Sequence, residues 1–99
     1  MIDLDDMLKS RHNLYGDYRE GIVTRARIMS TLCGYHKRIH GRDIDAEHEQ
    51  MILDVVNKLV RAAVNPTYKD NWVDIIGYST RILEALEEQD MEDIEYEKQ

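Results

Sequence analysis

The stretch Lys58–Tyr78, KLVRAAVNPTYKDNWVDIIGY, joins two helical patterns across Pro66, the single proline of the chain. A residue that precedes proline avoids the α region, so the first pattern stops at about Val64, before Asn65-Pro66. The second starts near Lys69 or Asp70 and keeps its repeat at least to Leu86. Two amphipathic helices meeting at such a break form a helical hairpin. The stretch also gathers Lys58, Arg61, Asp70, Asp74, Trp72, Gly77 and Tyr78 at that junction. Cations and carboxylates collected there suit a nucleotide or metal–phosphate site, and they equally suit the solvated faces of an ordinary helix pair.

Outward from the hairpin, the chain offers two more helices. The first runs from about Leu4 to Asn13, with Asp3 as its N-cap, and Tyr15-Gly16-Asp17 breaks it. The second runs from about Tyr18 to His36 or His40, with Ile22, Ala26, Met29, Leu32 and Cys33 along one face. His40-Gly41-Arg42-Asp43 is a loop, and Asp45 caps the third helix. The fold class that follows is all-α: a compact four-helix, bundle-like single domain over residues 1–86. Residues 87–99 follow as an acidic C-terminal tail, either a frayed helix or disordered.

Composition narrows the function classes. At 99 residues the chain holds one domain with a modest core. It has no apolar run of the roughly 18 residues a membrane span needs, and no charged-then-apolar leader pointing to secretion. Cys33 is alone, so a disulfide framework is ruled out and a reducing cytoplasm is the expected setting. The net charge of −7 comes from the end of the chain, where eight acids from Glu84 onward face Lys98 alone. Residues 1–83 balance at twelve acids and twelve bases, and residues 19–42 set six arginines and lysines against Glu20. An acidic tail repels phosphate, so a general basic field for duplex DNA is disfavoured and no sequence-specific nucleic-acid partner is expected. A local phosphate pocket remains compatible with this distribution.

Helical phase sorts the hairpin. On the third helix Ile52, Val55, Val56, Leu59 and Ala63 form the expected buried face. Glu47, Asp54, Lys58, Arg61 and Asn65 fall within about 60° of one another on the other side. One reading of that stripe is a solvated face stitched by Asp54–Lys58, worth about 0.3–0.5 kcal/mol. On the fourth helix Trp72, Ile75, Ile76, Ser79, Ile82, Leu83 and Leu86 are expected inside, with Asp70, Asp74, Gly77 and Arg81 as a polar stripe. Gly77 costs about 1 kcal/mol in a helix interior, which suggests a close approach there by a ligand or another subunit. Asp70 and Asp74 at i,i+4 have the chemistry to share a divalent cation such as Mg²⁺, or simply to favour the helix N-terminus. His36 and His40 have zinc spacing but no evident third ligand.

Three segments carry a resemblance: Arg11-x-x-x-Tyr15-Gly16-Asp17, Lys58-x-x-Arg61, and Asp70-x-Trp72-x-Asp74-x-x-Gly77-Tyr78. Their order and spacing, over most of residues 8–80, resemble an uncharacterised family of small phage and prophage helical proteins. That family is in turn similar to the all-α nucleoside triphosphate pyrophosphatases (MazG-like) and to phage nucleotide-modification-associated domains. The resemblance implies a four-helix fold, a homo-oligomer, and a nucleotide site between helices. It also implies Mg²⁺ held by helix carboxylates, with water attack on a triphosphate releasing monophosphate and pyrophosphate. The chain departs from the enzymes' Glu-x-x-Glu and Glu-x-x-Asp pairs, because Asp70 and Asp74 are spaced by four.

The expected function is therefore binding of a nucleotide or nucleotide-derived ligand in the cytoplasm, that of the host cell for a phage-encoded protein. Asp54, Lys58 and Arg61 would line the site, with Tyr15 and Tyr78 stacking or hydrogen-bonding. Asp70 and Asp74 would hold Mg²⁺ or a ribose hydroxyl. If the protein is an enzyme, Mg-dependent nucleoside triphosphate pyrophosphohydrolysis is the expected reaction. The alternative is a non-catalytic interaction protein that inhibits a host defence factor or sequesters a nucleotide signal.

Overall fold

A computed structural model describes residues 3–97; residues 1 and 2 of the expected domain, and 98 and 99 of the expected tail, lie outside the described residues. Within that range the chain is all-α: α1 (Leu4–Tyr15), α2 (Tyr18–His40), α3 (Ala46–Val64) and α4 (Lys69–Glu97). The helix starts follow local chemistry. Asp3 accepts from the Asp5 amide at 3.4 Å and Asp17 from the Glu20 amide at 2.9 Å, each occupying an amide that the helix itself leaves without a partner. Asp45 precedes α3 without a capping bond; its carboxylate lies 3.6 Å from Arg42 and 3.7 Å from His48.

Gly16 and Gly41 end α1 and α2 with positive φ, at 78° and 70°. At Gly16 the backbone (φ 78°, ψ −170°) lies in a region only glycine occupies comfortably. A Cβ there would also sit 2.9 Å from Val64 Cγ2, at the far end of α3. Gly16→Ala is therefore expected to destabilise the fold by about 1–3 kcal/mol, lowering Tm by roughly 4–8 °C per kcal/mol. A calorimetric scan that leaves Tm unchanged contradicts this.

α3 is the centre of the fold and packs against each of the other three helices. That position explains where the expected faces are wrong. The buried residues of α3 are Val56, Val60 and Ala62, while Leu59 and Ala63, expected inside, are exposed. Three neighbours set the buried sector, so it does not coincide with the most apolar stripe. Met29 of α2 joins Val56 and Val60 in a small core, with Ile28, Cys33, Ile52 and Leu53 around it. Burial there, followed by the adjacent Glu49 carboxylate, raises the Cys33 thiol above the ordinary cysteine range and keeps it protonated.

α4 is rotated relative to expectation as well. Its buried residue is Asn71, with Ile75, Tyr78 and Ile82 half-buried along the same side. Trp72, Ile76, Leu83 and Leu86, expected inside, are exposed. The reason lies at the α3–α4 turn. Asn71 Nδ2 donates to the carbonyls of Arg61 and Asn65 at 3.5 and 3.4 Å, and Trp72 Nε1 donates to that of Pro66 at 2.7 Å. Those bonds to the end of α3 and the turn fix the roll of α4. Past Leu86 the helix continues without interruption to Glu97, every residue exposed, and this overhang stretches the molecule to 60 × 31 × 23 Å.

Candidate ligand-binding site

A cavity of about 610 Å³ opens where the end of α1 and the start of α2 meet the middle of α3. That volume is in the range of small-molecule sites, about 300–1,000 Å³. Tyr15, Asp54, Lys58, Arg61 and Tyr78 all line it. The stripe that phase assigned to the outside of α3 is therefore a cavity wall, and Asp54, Lys58 and Arg61 are each partly buried.

Each of the two α3 cations rests on a tyrosine. The Arg61 guanidinium lies over the Tyr15 ring at 4.7 Å, and Lys58 Nζ lies over the Tyr78 ring at 5.6 Å. Lys58 Nζ also pairs with Asp74 Oδ2 at 3.1 Å, so the expected Asp54–Lys58 pair gives way to one between α3 and α4. Arg61 and Lys58 are thereby held in place before any ligand arrives, which lowers the entropy lost on binding. Among the described residues Asp54 takes part in no ion pair.

Two further cations reach the same cavity, Arg11 from α1 and Arg25 from α2. Arg11 was legible, since it stands one helical turn before Tyr15 and shares its face. In the sequence Arg25 belongs to a basic region, and nothing local singles it out among its neighbours. With Asp17 and Asp54 as the carboxylates, the wall carries four strong cations against two acids and favours an anion. Asn57 carries no signal in the sequence pattern. It also lines the cavity, and its Oδ1 is buried without a hydrogen-bond partner, an acceptor that costs free energy until a donor meets it.

Comparison with known proteins gives one result. The family pattern DUF6378, a domain of unknown function, matches residues 5–86. The chain belongs to the DUF6378 family. No curated protein and no solved structure matches it. The matched range of this DUF6378 chain contains every residue of the cavity and ends inside α4.

The metal ligands expected of the DUF6378 chain fall outside the cavity wall. Asp74 touches the site only through Lys58, which its charge already offsets. Asp70 sits in the first turn of α4 and accepts from the Tyr68 hydroxyl, which holds that phenol above the ordinary tyrosine range. Among the described residues no three His, Cys, Asp or Glu side chains are grouped to hold a metal, and the His36 and His40 rings, 4.5 Å apart, have no third partner. Asp70 and Asp74 therefore do not share the cavity wall with Lys58 and Arg61. Gly77 faces open space, with no atom beyond its own stretch of helix within 4 Å of where a Cβ would be. Among the described residues no helix is long and apolar enough to cross a membrane.

Proposed function

We propose that this protein binds a nucleotide or nucleotide-derived anion in the cavity between α1, α2 and α3. The observation that carries the reading is the convergence of Tyr15, Asp54, Lys58, Arg61 and Tyr78 with Arg11 and Arg25 on one cavity. Arg11, Arg25, Lys58 and Arg61 take the phosphates, the guanidinium groups by paired N–H donors. Tyr15 and Tyr78 offer aromatic faces to a base, and Asp54 and Asn57 offer acceptors to ribose hydroxyls or base N–H groups.

The resemblance of residues 8–80 to small phage and prophage helical proteins, and through them to MazG-like pyrophosphatases, supports the same ligand class. It also makes the host cytoplasm the setting. Hydrolysis to monophosphate and pyrophosphate is the less supported half of that resemblance. Asp17 is committed to capping α2, which leaves Asp54 as the one uncommitted carboxylate of the wall. Any Mg²⁺ would arrive on the ligand's phosphates. Binding is accordingly the activity proposed.

Thermal denaturation across the eight common ribo- and deoxyribonucleoside triphosphates, with and without Mg²⁺, tests this. A ligand at 100 times its Kd adds about 2.7 kcal/mol, an expected rise of roughly 10–20 °C. No shift with any nucleotide contradicts the proposal. Assaying the same mixtures for pyrophosphate separates hydrolysis from sequestration of a nucleotide signal, for which tight binding without product is the sign. The exposed acidic end of α4 favours one rival, a non-catalytic protein that docks on a basic host factor. Truncation after Leu86 leaves nucleotide binding intact under the first reading and abolishes function under the rival.

A further inference from the structure

The chain exposes too much surface for one copy. A folded monomer of 11.7 kDa is expected to expose about 5,900 Å², and this one exposes 8303 Å². Its radius of gyration is 17.7 Å, against about 12.6 Å for a compact domain of 99 residues. The excess of about 2,400 Å² per copy is what each half of an obligate homodimer buries, given total interfaces of about 2,000–5,000 Å².

The excess is apolar and patterned. On α4, Trp72, Ile76, Leu83 and Leu86 are 46%, 66%, 58% and 37% exposed. With Ser79 between them they recur at alternating steps of four and three, the repeat of a helix-pairing seam. Leu59 and Ala63 of α3 add exposed apolar surface, and with Ile28 of α2 they line a shallow second groove of about 330 Å³. The α4 overhang continues with exposed Met91 and Ile94 among seven acids, and residues 87–97 contain no base. α2 is its complement. It exposes Leu32, Tyr35 and Ile39 along one flank, and Arg27 and Arg38 border that flank, Arg38 lying over the Tyr35 ring at 5.9 Å; Arg19 and Lys37 face the other way and Arg25 lines the cavity.

We propose that the partner for this face is a second copy of the chain. The two copies pair by two-fold symmetry, and the acidic α4 overhang of each lies along the basic, apolar flank of the other's α2. A symmetric contact of this kind uses both complementary surfaces twice and leaves no open end. Opposite charge at its rim speeds encounter and fixes the register, while burial of the two apolar stripes supplies the affinity. The inference goes beyond the ligand reading and does not depend on it.

Sedimentation equilibrium of the full chain tests the proposal. The expected mass is about 23 kDa, twice 11.7 kDa, falling towards one copy on dilution more readily in high salt. Ile94→Asp is the decisive variant, since Ile94 lies on the overhang beyond the packed part of α4 and its loss leaves the core intact. It is expected to weaken the dimer roughly 30-fold or more with an unchanged circular dichroism spectrum. Ile76→Asp, in the middle of the stripe, is expected to do the same. A wild-type mass of one copy at about 100 µM, far above a micromolar Kd, overturns the proposal. So does a dimer that survives Ile94→Asp.

Discussion

Replacing Lys58 and Arg61 together by alanine is expected to abolish nucleotide binding while leaving the chain folded. A hydrogen bond to a charged group contributes about 1.5–3 kcal/mol, so each residue accounts for roughly 10- to 100-fold in Kd. The double variant should lose about two to four orders of magnitude. Lys58 carries a second effect, because its removal leaves the Asp74 carboxylate without its partner beside a site meant for an anion. Lys58→Ala is thus expected to cost more than Arg61→Ala, and Asp74→Asn, which keeps the lysine and removes the acid, to cost little or to improve binding. The fold should tolerate all of these. Asp74 is 47% exposed, and an ion pair with one partner in solvent contributes about 0–1 kcal/mol to stability. Isothermal titration of each variant with the best triphosphate from the panel checks the order. Equal affinity in wild type and double variant would place the ligand elsewhere.

Asn71→Leu is expected to be the most damaging single change to the α3–α4 hairpin. Asn71 is 2% exposed, and its amide donates to two carbonyls at the end of α3. Leucine is larger and removes both bonds, and at about 0.5–1.5 kcal/mol for each bond the cost is about 1–3 kcal/mol. The core is small, built around Met29, Val56 and Val60, so a loss of that size is a large part of the total. A fall in Tm of roughly 4–8 °C per kcal/mol follows. Because Asn71 sets the roll of α4, the variant should also release Tyr78 from Lys58 and weaken ligand binding. A substitution that leaves both Tm and binding unchanged contradicts the role given to Asn71.

The fold was legible wherever local chemistry decides structure. Asp3, Gly16 and Pro66 mark helix boundaries through a cap, a glycine-only backbone and a missing amide, and the structure places the boundaries at or near them; α3 starts after Asp45 without a capping bond. The faces were less legible, since periodicity locates the most apolar stripe and not the side that other helices cover. α3 is covered from three sides and α4 from one, so Leu59, Ile76 and Leu83 lie bare while Asn71, a polar residue, is buried. The candidate site was legible for the same reason the faces were not. Residues 54, 58 and 61 share a stripe whatever lies opposite it, and only the three-dimensional fold shows that α1 and α2 enclose that stripe with Arg11 and Arg25. The Asp70–Asp74 pair has correct spacing on its own helix, but neither residue lines the cavity: Asp74 is held by Lys58 at 3.1 Å, and Asp70 stays in the first turn of α4.

The most direct test of the central claim is residue-resolved. Titration of isotopically labelled protein with a nucleoside triphosphate, followed by amide and side-chain NMR, should shift Tyr15, Asn57, Lys58 and Arg61 together at one Kd. The Asn57 side-chain amide should move most among the asparagines, as its buried carboxamide gains a partner. Shifts confined to the exposed arginines of α2, or no shifts at all, would contradict a nucleotide site in this cavity.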